Sequence, residues 1–173
     1  MKQARLKQII LSHGSESGPN ATKITRLDEI ASARGNQCQR PDYGTKAGAS
    51  ERIEKLLTLC AQSNANRLLV GSSMGAYISA MASLQVDVAG LFLLAPPIFF
   101  RGIEPAMRLR CGKVTIIHGW NDELIDPSEV IGFARAYGAK LILVNDDHRL
   151  KNSMAAIEHE FALFLNEIQK ANA

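Results

Sequence analysis

The stretch Gly71-Ser72-Ser73-Met74-Gly75 places a serine between glycines two positions before and two positions after it, directly behind an apolar run that ends at Val70. A serine raised on a sharp strand-to-helix turn needs such neighbours, because side chains there would collide with the adjoining strand or helix. The turn presents Ser73 Oγ to a pocket and leaves the Met74 N–H at a helix N-terminus, where it can stabilise an oxyanion. The chemistry implied is nucleophilic attack on an acyl carbon. Chance alone produces one such pattern in roughly 7 % of shuffled chains of this composition, so the strand before and the helix after carry the argument. A tight turn without chemistry is the alternative.

A serine hydroxyl is a weak nucleophile at neutral pH and needs a base, most often a histidine oriented by a carboxylate. Four histidines are available. His159 sits between Glu158 and Glu160 on the polar side of the last helical segment, and His13 and His118 each precede a glycine at a strand end, where they shape turns. His148 follows the last strand in the loop Asn145-Asp146-Asp147-His148-Arg149, the place a base takes in the chain order serine, acid, histidine. The acid should follow the strand 114–117, and Asp122 is the choice there. Asp126 is better explained as a helix N-cap, while Asp147 and Glu123 are weaker alternatives. Asp122 would fix the imidazole tautomer and stabilise the imidazolium that forms during proton transfer.

The first strand leads into Ser12-His13-Gly14-Ser15-Glu16-Ser17-Gly18-Pro19, a loop that could present a second oxyanion donor, the backbone N–H of Ser15, beside that of Met74. Its alternative is a polar turn. It matches neither G-x-x-x-x-G-K-[ST] nor G-x-G-x-x-G, which argues against phosphate binding. Trp120, beside Asp122, is expected to pack in the core, with a place in the pocket wall as the alternative.

These groups require a scaffold that brings several loops to one edge. Short apolar runs at 8–11, 67–70, 88–94, 114–117 and 141–144 suit strands covered on both faces, and 38–43 is a weaker candidate. Between them lie helical spacings: Ile24, Leu27, Ile30 and Ala31 before Gly35; Ile53, Leu56, Leu57 and Cys60 after Ser50; and Met154, Ile157, Phe161, Phe164, Leu165 and Ile168 near the C-terminus. Asp126-Pro127-Ser128-Glu129 combines an N-cap, a proline at the first helical position and a glutamate at the third. Such alternation implies a mainly parallel sheet with right-handed crossovers and helices on both faces, with ligands at the carboxyl ends of the strands.

Size and composition agree with one domain spanning 1–173. A chain of 173 residues buries about 70 % of its unfolded surface in a single core. The 46 % hydrophobic and 21 % charged content is that of a globular protein. The uncharged stretch 88–100 is interrupted by Pro96-Pro97 and falls short of the about 20 apolar residues of a membrane span. The N-terminal residues do not read as a secretory signal. A net charge of +3 with interspersed signs argues against nucleic acid. Cys38, Cys60 and Cys111 are too far apart for a disulfide framework or a zinc site, so free thiols in the cytoplasm are expected.

The chain resembles the α/β-hydrolase superfamily in four motifs that occur in that family's order: His13-Gly14-Ser15, Gly71-Ser72-Ser73-Met74-Gly75, His118-Gly119-x-x-Asp122 and Asp147-His148. It is most similar to small, lidless bacterial esterase-like members. The resemblance implies an α/β fold, a minimal α/β-hydrolase of about six mainly parallel strands with helices on both faces and no cap domain. The chain departs from the family in that only one strand candidate precedes the first loop, so the two antiparallel strands that usually open the fold are not expected. The resemblance further implies a serine hydrolase without cofactor or metal, acting on a small ester or thioester through an acyl-enzyme on Ser73. His148 would be the base and Asp122 the acid. The alternative is a non-catalytic binding or scaffold protein that retains the fold. Fewer than 20 residues separate the strands where larger relatives insert a cap. That segment carries Arg101, Arg108, Arg110 and Lys113 against Glu104, which are either solvated charges or a preference for anionic substrates near the site.

Overall fold

The apolar runs become strands and the helical spacings become helices in a computed structural model that describes residues 8–62, 66–97 and 108–171. In chain order these are β1 (Gln8–Ser12), α1 (Thr22–Ser32), β2 (Cys38–Gln39), α2 (Ala49–Ala61), β3 (Arg67–Ser72), α3 (Met74–Ala82), β4 (Gly90–Leu94), β5 (Val114–Gly119), α4 (Pro127–Tyr137), β6 (Lys140–Val144) and α5 (Met154–Ala171). The strands form one sheet in the order β2-β1-β3-β4-β5-β6, and every pairing among the described residues is parallel.

β1, β3, β4 and β5 are buried along their whole length, which is why they read as unbroken apolar runs rather than as alternations. Successive side chains point to opposite faces and so feed two cores. Ile10, Leu69, Leu91, Leu93 and Ile116 face α2, α3 and α4 through Leu56, Ile78 and Phe133. Ile9, Leu68, Val70, Phe92 and Leu94 face α1 and α5 through Leu27, Phe161 and Leu165. Phe92 lies edge-on to Phe161, with ring centroids 5.0 Å apart, and 5.4 Å from Phe164.

Local signals set the helix ends. Asp126 accepts the Ser128 N–H and Pro127 opens α4, while Gly138, at φ 61°, ends it in the left-handed region. Two strand expectations need correction. Of 38–43 only Cys38 and Gln39 pair with β1, at the sheet edge. The run from Val88 becomes regular strand only at Gly90, Val88 itself making a lone bridge to Cys111.

After β1 the chain goes outward to β2, whereas after β3 it continues to the opposite side through β4. The loops that leave the carboxyl ends of β1 and β3 therefore diverge, and a crevice opens between them. No helix among the described residues is long and apolar enough to cross a membrane. Phe92→Ala, which removes the ring that joins β4 to α5, should cost about 3–5 kcal/mol in urea unfolding.

Candidate active site

Ser73 occupies the turn between β3 and α3 with φ 53° and ψ −120°, a conformation uncommon outside glycine. The packing on either side imposes it. A Cβ on Gly71 would overlap the Gly75 carbonyl, and one on Gly75 would overlap the Ser12 carbonyl at the end of β1. The two glycines thus let α3 start hard against β3 and β1. The Ser73 N–H donates to Leu94 O on β4 at 2.8 Å, and Ser73 O accepts from Ala76 and Tyr77, so the backbone at both ends of the residue is held.

Asp122 follows β5 and its side chain is fully buried. Its Oδ1 accepts the N–H groups of Leu124 and Ile125, each at 2.9 Å, which leaves Oδ2 for another partner. That partner is His148, whose Nδ1 donates to Oδ2 at 2.7 Å. The opposite ring nitrogen, Nε2, lies 2.9 Å from Ser73 Oγ, placed to accept the hydroxyl proton. Ser73, His148 and Asp122 are therefore joined in one line of hydrogen bonds. The alternatives point elsewhere: Asp147 accepts the Arg149 N–H, Asp126 caps α4, and Glu123 is exposed. His159 is exposed.

The two expected oxyanion donors, Ser15 N–H and Met74 N–H, have no hydrogen-bond acceptor among the described residues. Gly14 brings the first loop against the serine: a Cβ there would stand 3.6 Å from Ser73 Cβ. Ser15, Ser73 and His148 share one cleft of about 1020 Å³, whose walls also carry Ile24, Leu124 and Met154.

Four groups support the site in roles that the sequence reading did not assign. Asp146 is buried beside the histidine and accepts from the N–H groups of Asp147 and Asn152, the Asn152 amide and the Ser153 hydroxyl. Burial opposes its charge, yet these bonds hold its carboxyl below the usual range. Gly119 is the second, since a Cβ there would overlap Asp146 O, so its absence lets the histidine loop close onto β5. Lys23, on α1, donates to Arg149 O at 2.5 Å and ties α1 to the same loop. The fourth is Arg52, a buried arginine of α2 that reaches the first loop. Asp146 and Gly119 were legible as a doubled Asp and a strand-end glycine, whereas nothing local marks Lys23 or Arg52.

His13 and His118 serve as the turn-shaping residues expected. His13 Nδ1 donates to Gly14 O at 2.8 Å and its Nε2 accepts the Tyr43 N–H at 3.2 Å. His118 Nε2 donates to Ile125 O at 3.0 Å and stands 3.5 Å from Asp122 Oδ2, closing the loop that carries Asp122. Trp120 is a correction. It is 55 % exposed and packs in no core, because its N–H bonds Val144 O and turns the side chain to the rim of the sheet. Of the two readings of the basic segment, solvated charges fit its described members Arg110 and Lys113. Arg110 pairs with Asp87, Lys113 pairs with Glu167, and both lie by the amino-terminal ends of β4 and β5, the sheet edge opposite Ser73. Arg101 and Glu104 lie outside the described residues.

No protein-family model matches the chain, and no curated protein matches it by sequence. Solved structures do. A protein of Xanthomonas campestris pv. campestris assigned to the alpha/beta superfamily of hydrolases is 38 % identical and superposes with a TM-score of 0.84, over 93 % of this chain and 99 % of that one. Est1E from Butyrivibrio proteoclasticus, at 16 % identity, superposes with a TM-score of 0.82 over 98 % of this chain and 90 % of its own. The esterase Pf2001 of Pyrococcus furiosus, also 16 % identical, gives 0.76 over 98 % and 85 %. The chain belongs to the α/β-hydrolase superfamily, which supports a hydrolase.

Burial keeps the pKa values of His13 and His118 below the ordinary 6.5. The unfolded chain then binds more protons than the folded one once the pH drops under 6.5, so their stabilisation is complete above that value and is lost as pH falls towards the folded pKa. Urea midpoints should drop between about pH 7.5 and about pH 5.5, before most carboxylates titrate. His118→Gln should be less stable overall yet lose less over that interval.

Proposed function

We propose that this chain is a serine hydrolase acting on small carboxylic esters, with Ser73 as nucleophile, His148 as general base and Asp122 orienting it. The observation that carries this reading is the unbroken line Asp122 Oδ2, His148, Ser73 Oγ, at 2.7 and 2.9 Å, ending in an open cleft. Ser73 Oγ attacks the acyl carbon as its proton passes to His148 Nε2, and the carbonyl oxygen becomes an oxyanion received by the Ser15 and Met74 N–H groups. Collapse of that intermediate expels the alcohol, which takes the proton from His148, and leaves an acyl-serine. A water deprotonated by His148 then releases the acid and restores Ser73.

A thioester would follow the same route with a thiol as leaving group. The 19 residues between β4 and β5 are too few for a cap domain, which suits a small substrate or one that lies partly outside the cleft. A structure of Est1E with ferulic acid bound fits small-molecule esters as the class. The reading also places the chain in the cytoplasm, where its three free cysteines would stay reduced.

A fluorophosphonate probe should label the wild type and fail on Ser73→Ala and His148→Ala. A wild type that does not label would make the chain a binding or scaffold protein. Asp122→Asn should lower turnover of a p-nitrophenyl ester about 10⁴-fold, as expected when a triad acid becomes an amide that favours the wrong tautomer.

A further inference from the structure

Arg52 is 1 % exposed, and no carboxylate among the described residues lies within ion-pair distance of it. A guanidinium buried without a counter-ion is costly, so its partners matter. They are backbone carbonyls: Nη2 donates to Gly44 O at 2.7 Å and reaches Ser15 O at 3.5 Å, Nε donates to Ala47 O at 3.1 Å, and Nη1 donates to Gly14 O at 3.2 Å. The cation also stands 5.5 Å from the Tyr43 ring centroid. Tyr43 in turn is anchored to β1 by its hydroxyl, 2.8 Å from Ser12 Oγ.

The contact with Gly14 O bears on the reaction proposed for Ser73. That single carbonyl receives three donors: Arg52 Nη1, His13 Nδ1 at 2.8 Å and Ser17 Oγ at 3.4 Å. Gly14 C=O and Ser15 N–H belong to one peptide unit, and none of the described peptides is cis. In a planar trans peptide the C=O and the N–H point in opposite directions. Donors that hold the carbonyl on the Arg52 side therefore hold the N–H away from it. Ser15 lines the cleft with Ser73, and its N–H has no acceptor among the described residues. A charged donor on the carbonyl also polarises the amide and strengthens the N–H as a donor.

We infer that Arg52 is a positioning residue for the oxyanion hole, acting through the Gly14–Ser15 peptide to aim and polarise the Ser15 N–H, an inference that rests on the serine-hydrolase reading. A neutral staple could close the same loop. Charge and fork geometry are what bind four carbonyls at once and pull on the peptide that carries the donor.

Arg52→Lys keeps the charge but not the fork, and Arg52→Met keeps the bulk alone. In both, kcat for a small p-nitrophenyl ester should fall about 10- to 100-fold with KM within about two-fold, because the lost interaction is made mainly in the transition state. Affinity for a trifluoromethyl ketone, whose adduct on Ser73 carries the oxyanion, should fall by the same factor. Ser15→Pro removes the N–H and should show the same loss, and Arg52→Met added to it should cost no more than about two-fold further. Folding is followed by circular dichroism. A folded variant with unchanged kcat and ketone affinity overturns the inference, as does a fully multiplicative double variant. Failure of both Arg52 variants to fold overturns it too, by making Arg52 a general staple of the core. A wild type that neither labels nor turns over esters refutes the hydrolase reading instead.

Discussion

The close approach of α3 to the ends of β1 and β3 is the constraint on which the site depends. Gly75 packs against the Ser12 carbonyl and Gly71 against the Gly75 carbonyl, at separations that admit no Cβ. That packing drives Ser73 into φ 53° and sets its side chain beside the loop leaving β1. Such a conformation costs on the order of 1–3 kcal/mol and persists only where surrounding structure over-determines it. Here the Ser73 N–H is bound to β4 and its carbonyl to the first turn of α3. The strain and its support come from the same few contacts, so the serine has one place to be.

A second glycine contact does for Asp122 and His148 what the first does for Ser73. Gly119 admits the Asp146 carbonyl to the end of β5, which draws the loop after β6 over the loop after β5. Trp120 and Asn121 extend the closure by donating to Val144 O and Asp146 O. Each loop then carries a buried carboxylate whose oxygens are occupied: Asp122 by two N–H groups and His148, Asp146 by the turn that starts α5. Buried charge of this kind is tolerable only when fully hydrogen-bonded, and the bonds that satisfy it also immobilise His148 between the two loops.

Local sequence carried much of this. Runs buried on both faces of a parallel sheet are apolar throughout, so β1, β3, β4 and β5 stand out, while α4 announces itself through Asp126, Pro127 and Glu129. The edge strand β2, two residues long, has almost no apolar signal to offer because one of its sides has no strand neighbour among the described residues. Trp120 misled for a related reason: a lone tryptophan is usually core, but its backbone is spent on pairing with β6 at the rim. The basic segment was left open between two readings because closeness in sequence to a strand says nothing about which end of that strand a charge occupies.

By itself the sequence determined the order of elements, the elbow around Ser73, and Asp122 and His148 as the residues that meet there. Each of these rests on contacts a few residues apart or on the regular return of a parallel sheet to one edge. Only the tertiary structure decided how those groups are held. Arg52 and Gly14, Lys23 and Arg149, and Gly119 and Asp146 are pairs separated by 38, 126 and 27 positions. No local pattern encodes them, because a carbonyl that receives a distant cation, or a Cβ that would strike a distant backbone, looks like any other until the chain is folded.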